Sequence, residues 1–269
     1  MIKRILTFVL IITILLMHTV AFAESKENTE KRQSLLEQIE EFDRQYQLHR
    51  GDAIKAVDAM LASDSSLKRV GECITSSYRI VNGELISVVD RSSPSNISFT
   101  DQIVYDSDWG TYVYHGTWRW NTSPNESNLD PNDVIGVYST KPNEVSPLDY
   151  FINCYNSNNT KVGYYNSNSG ITDGSIAKGI ETADGAGFWI PEASVVRGNM
   201  SVPLTYVSGA PSNSTAKIMQ YYSHSWTSSN LTGLGGSISI DGGGIDVSWS
   251  TGVNSWEVTS AGKRLSQAQ

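Results

Sequence analysis

The sequence has 269 residues and carries 20 Lys and Arg against 28 Asp and Glu, a formal net charge of −8 at pH 7. No basic stripe exists to follow a phosphate backbone, so nucleic acid is excluded as a natural partner and anionic membrane is disfavoured. Acidity spread in this way serves mainly to keep a chain soluble and dispersed.

The first segment is an export signal. Lys3 and Arg4 precede an apolar run, Ile5 to Met17, interrupted only by Thr7 and Thr13, and Ala21-Phe22-Ala23 supplies the small-x-small pattern of a cleavage site. The run is shorter than the about 20 apolar residues of a membrane-spanning helix, and charge resumes at Glu24, Lys26 and Glu27. Residues 1–23 are therefore expected to be a signal peptide. The mature chain is expected to be secreted and extracellular, with no stable membrane span. Losing Lys3 and Arg4 leaves 18 cations (20 − 2) against 28 anions, a net charge of −10. The only two cysteines, Cys73 and Cys154, lie in the mature chain. In an oxidising compartment an even pair predicts a disulfide.

Residues 24–70 form a charged helical leader. From Asn28 to Met60 there is no proline, and Leu35, Ile39, Phe42 and Tyr46 recur at helical spacing. Gly51 ends that run, Asp52 can cap a second helix, and Ile54, Val57 and Leu61 are its expected inner face. A helix stop followed by a helix cap accounts for Arg50-Gly51-Asp52 without invoking adhesion.

Residues 71–269 form a strand-rich domain, dominated by Ser, Thr, Asn, Gly and Tyr. Asn82-Gly83 marks a tight hairpin turn. Further strands are expected at 97–105, 110–120, 134–139, 150–155, 160–165, 187–196, 201–207, 217–227, 234–241, 245–250 and 255–259. Short strands at this spacing, without crossover helices, predict a mainly β fold: an antiparallel β-sandwich or barrel-like body preceded by an N-terminal helical hairpin. The repeat of Tyr155-Asn156-Ser157-Asn158 as Tyr165-Asn166-Ser167-Asn168 predicts two turns at successive strand ends.

Two segments could carry function. In 109–120, alternation aligns Tyr112, Tyr114, Trp118 and Trp120 on one face, with Gly116 as a gap, and places His115 and Arg119 on the other. An exposed aromatic row of this kind stacks on sugar rings, whereas a buried one is sandwich core. In 232–253, Leu234, Ile238 and Ile240, then Ile245, Val247, Trp249 and Val253, alternate with small and acidic residues around Gly242-Gly243-Gly244. Each arm can be drawn at about ten residues, the length that crosses a bilayer in a β-barrel. Any half-buried hairpin on a soluble sheet shows the same alternation.

No nucleophile elbow, metal-binding helix or phosphate loop occurs. No cofactor is expected. Calcium is the one metal with candidate oxygens, from Asp106-Ser107-Asp108 and Asp130-Pro131-Asn132-Asp133, neither with the spacing of a known loop. A pair of carboxylates sufficient for glycoside hydrolysis could be drawn from Asp101, Asp106, Asp108, Glu126, Asp130, Asp133, Glu181, Glu192, Asp241 and Asp246. The leading expectation is a secreted, non-enzymatic binding or surface-associated protein that contacts a glycan or cell-envelope polymer through its aromatic row. A pore-forming or antibacterial toxin using the C-terminal hairpin, and a carbohydrate-active hydrolase or lyase, are the alternatives.

Overall fold

The computed structural model describes residues 30–31, 33–81, 84–88, 96–121, 132–174, 176–191, 195–206, 214–227, 236–241, 244–249 and 253–265. The expected signal peptide and the Asn82-Gly83 turn lie outside them. The chain divides into two compact units between Glu41 and Phe42, within helix α1, which runs over 33–48. Within the first unit the described part is helical, with Gln33 donating to Glu37 one turn on.

The second unit begins with the end of α1 and a reversal in which Arg50 and Gly51 both take positive φ angles, 52° and 84°. Asp52 then caps α2 (Ala53–Ser63) by accepting from Lys55 N at 3.1 Å. The Arg-Gly-Asp triplet is thus a helix stop and a helix cap. The buried face of α2 is Ala53, Ala56, Val57 and Met60; Ile54, expected on the inner face, is exposed. Val57 and the half-buried Leu61 pack inward as expected; alanine is a weak apolar signal in sequence, so Ile54 alone is expected on the wrong face.

Eighteen strands follow among the described residues, all pairing antiparallel. The first sheet runs β10 (Ile171–Gly174), β9 (Lys161–Asn166), β8 (Phe151–Tyr155), β13 (Arg197–Tyr206), β5 (Thr111–Trp120), β4 (Ile97–Asp106), β2 (Ile74–Val81), β3 (Glu84–Ser87). Short β1 (Leu67–Arg69) and β7 (Val145–Pro147) pair onto β4 and β13. The second sheet runs β11 (Ala177–Glu181), β12 (Gly185–Pro191), β6 (Asn132–Ser139), β14 (Lys217–Thr227), β17 (Val253–Thr259), with β18 (Lys263–Arg264) on β14. A third sheet is only the hairpin β15 (Gly236–Asp241) and β16 (Gly244–Trp249).

The turns follow from local chemistry. Asp106 Oδ1 accepts from the backbone N–H of Asp108 and Trp109 and so closes the β4–β5 hairpin. The repeated Tyr-Asn-Ser-Asn builds two successive side-chain turns. Asn156 Oδ1 accepts from Asn158 N and Thr160 N after β8, and Asn166 Oδ1 accepts from Asn168 N and Ser169 N after β9.

The first two sheets face one another across a common core that contains Phe99, Tyr114, Trp118 and Met200 from the first and Ile135, Phe188, Tyr222 and Trp256 from the second. This is the expected antiparallel sandwich. Its first sheet is buried on the other face too, because Phe42, Tyr46, Ala56, Val57 and Met60 of the helical segment pack with Val104 and Tyr155. A strand can therefore carry large apolar side chains inward and still bury its outward face.

Candidate functional site

The aromatic row of β5 belongs to the sandwich core. Tyr114, Trp118 and Trp120 are 0, 1 and 6% exposed. Tyr112, half-buried at the strand's start, packs between the rings of Tyr105 and Tyr206. The Gly116 gap is filled from within: a Cβ there would lie 2.7 Å from the Tyr114 ring and 2.9 Å from the Gln220 amide carbon. A sugar ring has no access to Tyr114, Trp118 or Trp120 in this conformation. Of the six residues expected to line a binding site, Arg119 alone is exposed, near the far end of the strand.

His115 is fully buried on the opposite face of β5. Its ring packs against that of Phe42, tilted by 35° with centroids 4.1 Å apart, and its Nδ1 shares a 3.0 Å hydrogen bond with Ser201 Oγ. Burial lowers its pKa to about 3. Nε2 has no partner among the described residues, and neither have Gln102 Oε1 and Asn153 Oδ1 nearby. The helical segment is tied to this face by directional bonds. Asp43 accepts from the Tyr155 hydroxyl, from Asn199 Nδ2 at 3.0 Å and from Lys161 Nζ at 2.6 Å. Gln102 Nε2 donates to Ala53 O at 2.9 Å.

The expected disulfide is a correction. Cys73 and Cys154 are free thiols. Cys154 on β8 is opposite Gly198, which is opposite Trp118, then Phe99, then Ser76 on β2, three residues beyond Cys73. Four strand spacings of about 4.8 Å put that register position ~19 Å away, far beyond the Cα separation of about 7 Å that a disulfide can bridge. Even parity and an export signal suggested pairing, but sheet order forbids it. Burial pushes the Cys154 thiol well up, so it behaves as a small apolar side chain.

The two carboxylates most deeply placed are structural ties. Asp101 accepts from the Tyr114 hydroxyl, Gln220 Nε2 at 3.1 Å, Ser260 Oγ at 2.9 Å and Gly262 N at 3.2 Å, joining the two sheets. Burial pushes its carboxyl up against the opposing pull of those bonds. Asp133 accepts from Tyr222 and Ser225 N and hydrogen-bonds His224 Nδ1 at 3.0 Å, and Tyr222 in turn accepts from Trp120 Nε1 at 2.7 Å. Both carboxylates are 0% exposed, so neither is poised over a cleft where a substrate bond could be broken. Of the calcium candidates on described residues, Asp106 is committed to its turn and Asp133 to this network, whereas Asp108 is exposed. Asp130 lies outside the described residues. No cluster of three or more His, Cys, Asp or Glu able to hold a metal occurs among those described.

The C-terminal hairpin is a different kind of feature. β14 and β17 are direct neighbours, with Thr227 opposite Val253. The whole segment between them is therefore an excursion that the sheet does not need. Within it, among the described residues, β15 and β16 pair only with each other, Ile238 opposite Val247 and Ile240 opposite Ile245. The apolar side chains Ile238, Ile240, Ile245, Val247 and Trp249 lie against Val134, Tyr138, Trp189, Met219 and Tyr221 on the outer face of the second sheet. Ser239, Asp246 and Ser248 face out and are exposed. The seat is paved with glycine. A Cβ at Gly187 would lie 2.8 Å from Ile238 Cγ2, and one at Gly136 or Gly179 would collide with Ile245 or Ile238. Trp249 stacks edge-on to Trp189 at 5.5 Å, and its Nε1 donates to Ser223 Oγ at 3.3 Å.

No protein-family model and no curated protein matches the chain. Among solved structures it is similar to a chain described as a pore-forming protein, with a TM-score of 0.36 and 8% identity, over 72% of this chain and 97% of that one. A structure concerned with pH-induced modulation of Streptococcus parasanguinis adhesion by Fap1 fimbriae gives a TM-score of 0.33 and 11% identity, over 75% and 99%. The collagen adhesin (CNA) of S. aureus gives 0.27 and 11%, over 74% and 81%. Likenesses this weak bear on no function.

Proposed function

We propose that this chain is an exported, non-enzymatic protein that acts at the surface of cells by delivering the β15–β16 hairpin to a membrane. One observation carries the reading: an amphipathic hairpin, unnecessary to the sheet it interrupts, is stowed with its apolar face down on a glycine-lined seat. Alternation of apolar with small or acidic residues is what a strand pair needs to face lipid on one side and water on the other. Undocking breaks one described polar contact, Trp249 to Ser223. The exposed apolar area needs a new apolar surface, which a bilayer offers. No described helix is long and apolar enough to cross a membrane, a statement that leaves strands free to do so. With the aromatic row buried, a contact with glycan or envelope polymer through β5 would have to rely on Tyr112 and Arg119.

A reversible lock tests this. In a Cys73→Ser background, Gly187→Cys with Ile238→Cys places two thiols at the close approach between seat and hairpin. Dye release from neutral phosphatidylcholine vesicles is expected from the wild-type chain and from the reduced double variant, and is expected to stop when the variant is oxidised. Absence of leakage from every form, or equal leakage from the oxidised and reduced variant, overturns the reading. Retention on an insoluble polysaccharide without any leakage would favour polymer binding instead.

A further inference from the structure

Resting on that membrane reading, we propose that hairpins from several copies of this chain close into one barrel whose lumen conducts cations, with Asp246 setting the selectivity. The partner is dictated by the backbone. β15 and β16 form a sheet of two, so among the described residues the outer edge of each has no ladder partner. At the protein surface water satisfies those N–H and C=O groups, but in hydrocarbon each unsatisfied group costs several kcal/mol. A lone hairpin cannot remain there. A second copy presents the same edges, and repetition around a ring leaves no edge.

Closure also fixes which side chains meet water. Ile238, Ile240, Ile245, Val247 and Trp249 share the face that is now docked, and they turn to lipid. Ser239, Asp246 and Ser248, already exposed, line the lumen. Asp246 is directly opposite Ser239, and Tyr221 of the seat, which the Asp246 charge influences, is left behind on undocking. The segment 232–253 contains two acidic residues, Asp241 and Asp246, and no Lys, Arg or His. Each copy therefore adds negative charge to the lumen and no cation to offset it. A ring of carboxylates in a narrow, low-dielectric channel concentrates cations and repels anions.

The test is ion permeability in planar phosphatidylcholine bilayers under a KCl gradient, with the full exported chain. The wild type is expected to show a reversal potential of cation-selective sign, and its leak rate is expected to rise more steeply than the first power of protein concentration. Asp246→Asn should bring the permeability ratio towards unity, and Asp246→Lys should invert it to favour chloride. Asp246 is exposed in the stowed form, so neither change disturbs folding, and the Asn variant still reports if Lys hinders insertion. Conductance without cation preference, or cation preference unchanged by Asp246→Asn and Asp246→Lys, overturns this inference while leaving membrane delivery standing. A complete lack of conductance removes both.

Discussion

Each outer face of the sandwich carries an added cover, and the two are held by opposite means. Under the helical segment the first sheet presents Gln102, His115, Thr117, Asn153, Asn199 and Ser201, all buried. The helices are held there by directional bonds to Asp43 and Ala53 O and by Phe42 packed against His115. Under the hairpin the second sheet presents glycines and apolar side chains, and shape does the holding. A cover tied by buried hydrogen bonds leaves unpaired polar groups behind if it shifts by an ångström, so it stays or goes with the whole fold. A cover seated on smooth apolar surface can lift while its seat stays folded.

The contrast is most open to attack at Phe42. Phe42→Ala should cost about 3–5 kcal/mol, the usual range for a fully buried phenylalanine, read as a lower denaturant midpoint with an unchanged slope. A cost under about 1 kcal/mol would mean that the helical cover is not integral to the fold. Next comes acid. His115 is held neutral in the fold, with a pKa of about 3, below the about 6.5 of an unfolded chain. The unfolded state therefore binds more protons between those values, and stability falls as pH drops from about 6.5 towards 3, by up to about 1.4 kcal/mol per pH unit. Asp101, whose folded pKa is raised, pulls the opposite way over the carboxylate range. The difference between wild type and His115→Gln isolates the histidine: the variant should lose about 2 kcal/mol less between pH 6 and 4.5. Equal pH slopes would show that this face is hydrated. The smallest global effect is expected for Trp249→Ala, about 1–2 kcal/mol because the side chain is only half-buried. Its amides on β15 and β16 should exchange faster while those of β14 hold. A loss of stability as large as that of Phe42→Ala would erase the distinction between the two covers.

Much of this arrangement was legible before any coordinates. The strands from 97 to 120 and from 217 to 227 follow the alternation of their residues closely, and the repeated Tyr-Asn-Ser-Asn became the two turns it implied. The hairpin was readable in its centre, where Ile238 and Ile240 share a face with Ile245, Val247 and Trp249, but its described strands are six residues each rather than about ten, Leu234 lies outside the described residues, and Val253 belongs to β17. The short strands β1, β7, β10, β11 and β18 were not, because two to five residues hold too little pattern to separate a strand from a loop. Nor was the fate of the aromatic row. Alternation says which side chains share a face but not which face meets a second layer, and in β5 both do. The cysteines failed for a related reason, since parity says nothing about strand order. On α2 Val57 and Leu61 were legible, but the outward turn of Ile54 was hidden because its inward neighbours Ala53 and Ala56 leave almost no mark on composition.

The adjacency of β14 and β17 has a consequence for descent as well as for mechanism. Because Thr227 already faces Val253 across the ladder, the chain could turn there in a few residues and lose nothing from the sheet. What sits between is a cassette. Loop-closure cost grows only slowly with length, about 0.6 kcal/mol per doubling, so this position tolerates insertion, shortening or exchange of its contents without a new framework. Selection can thus retune the hairpin while the sandwich that carries it stays put.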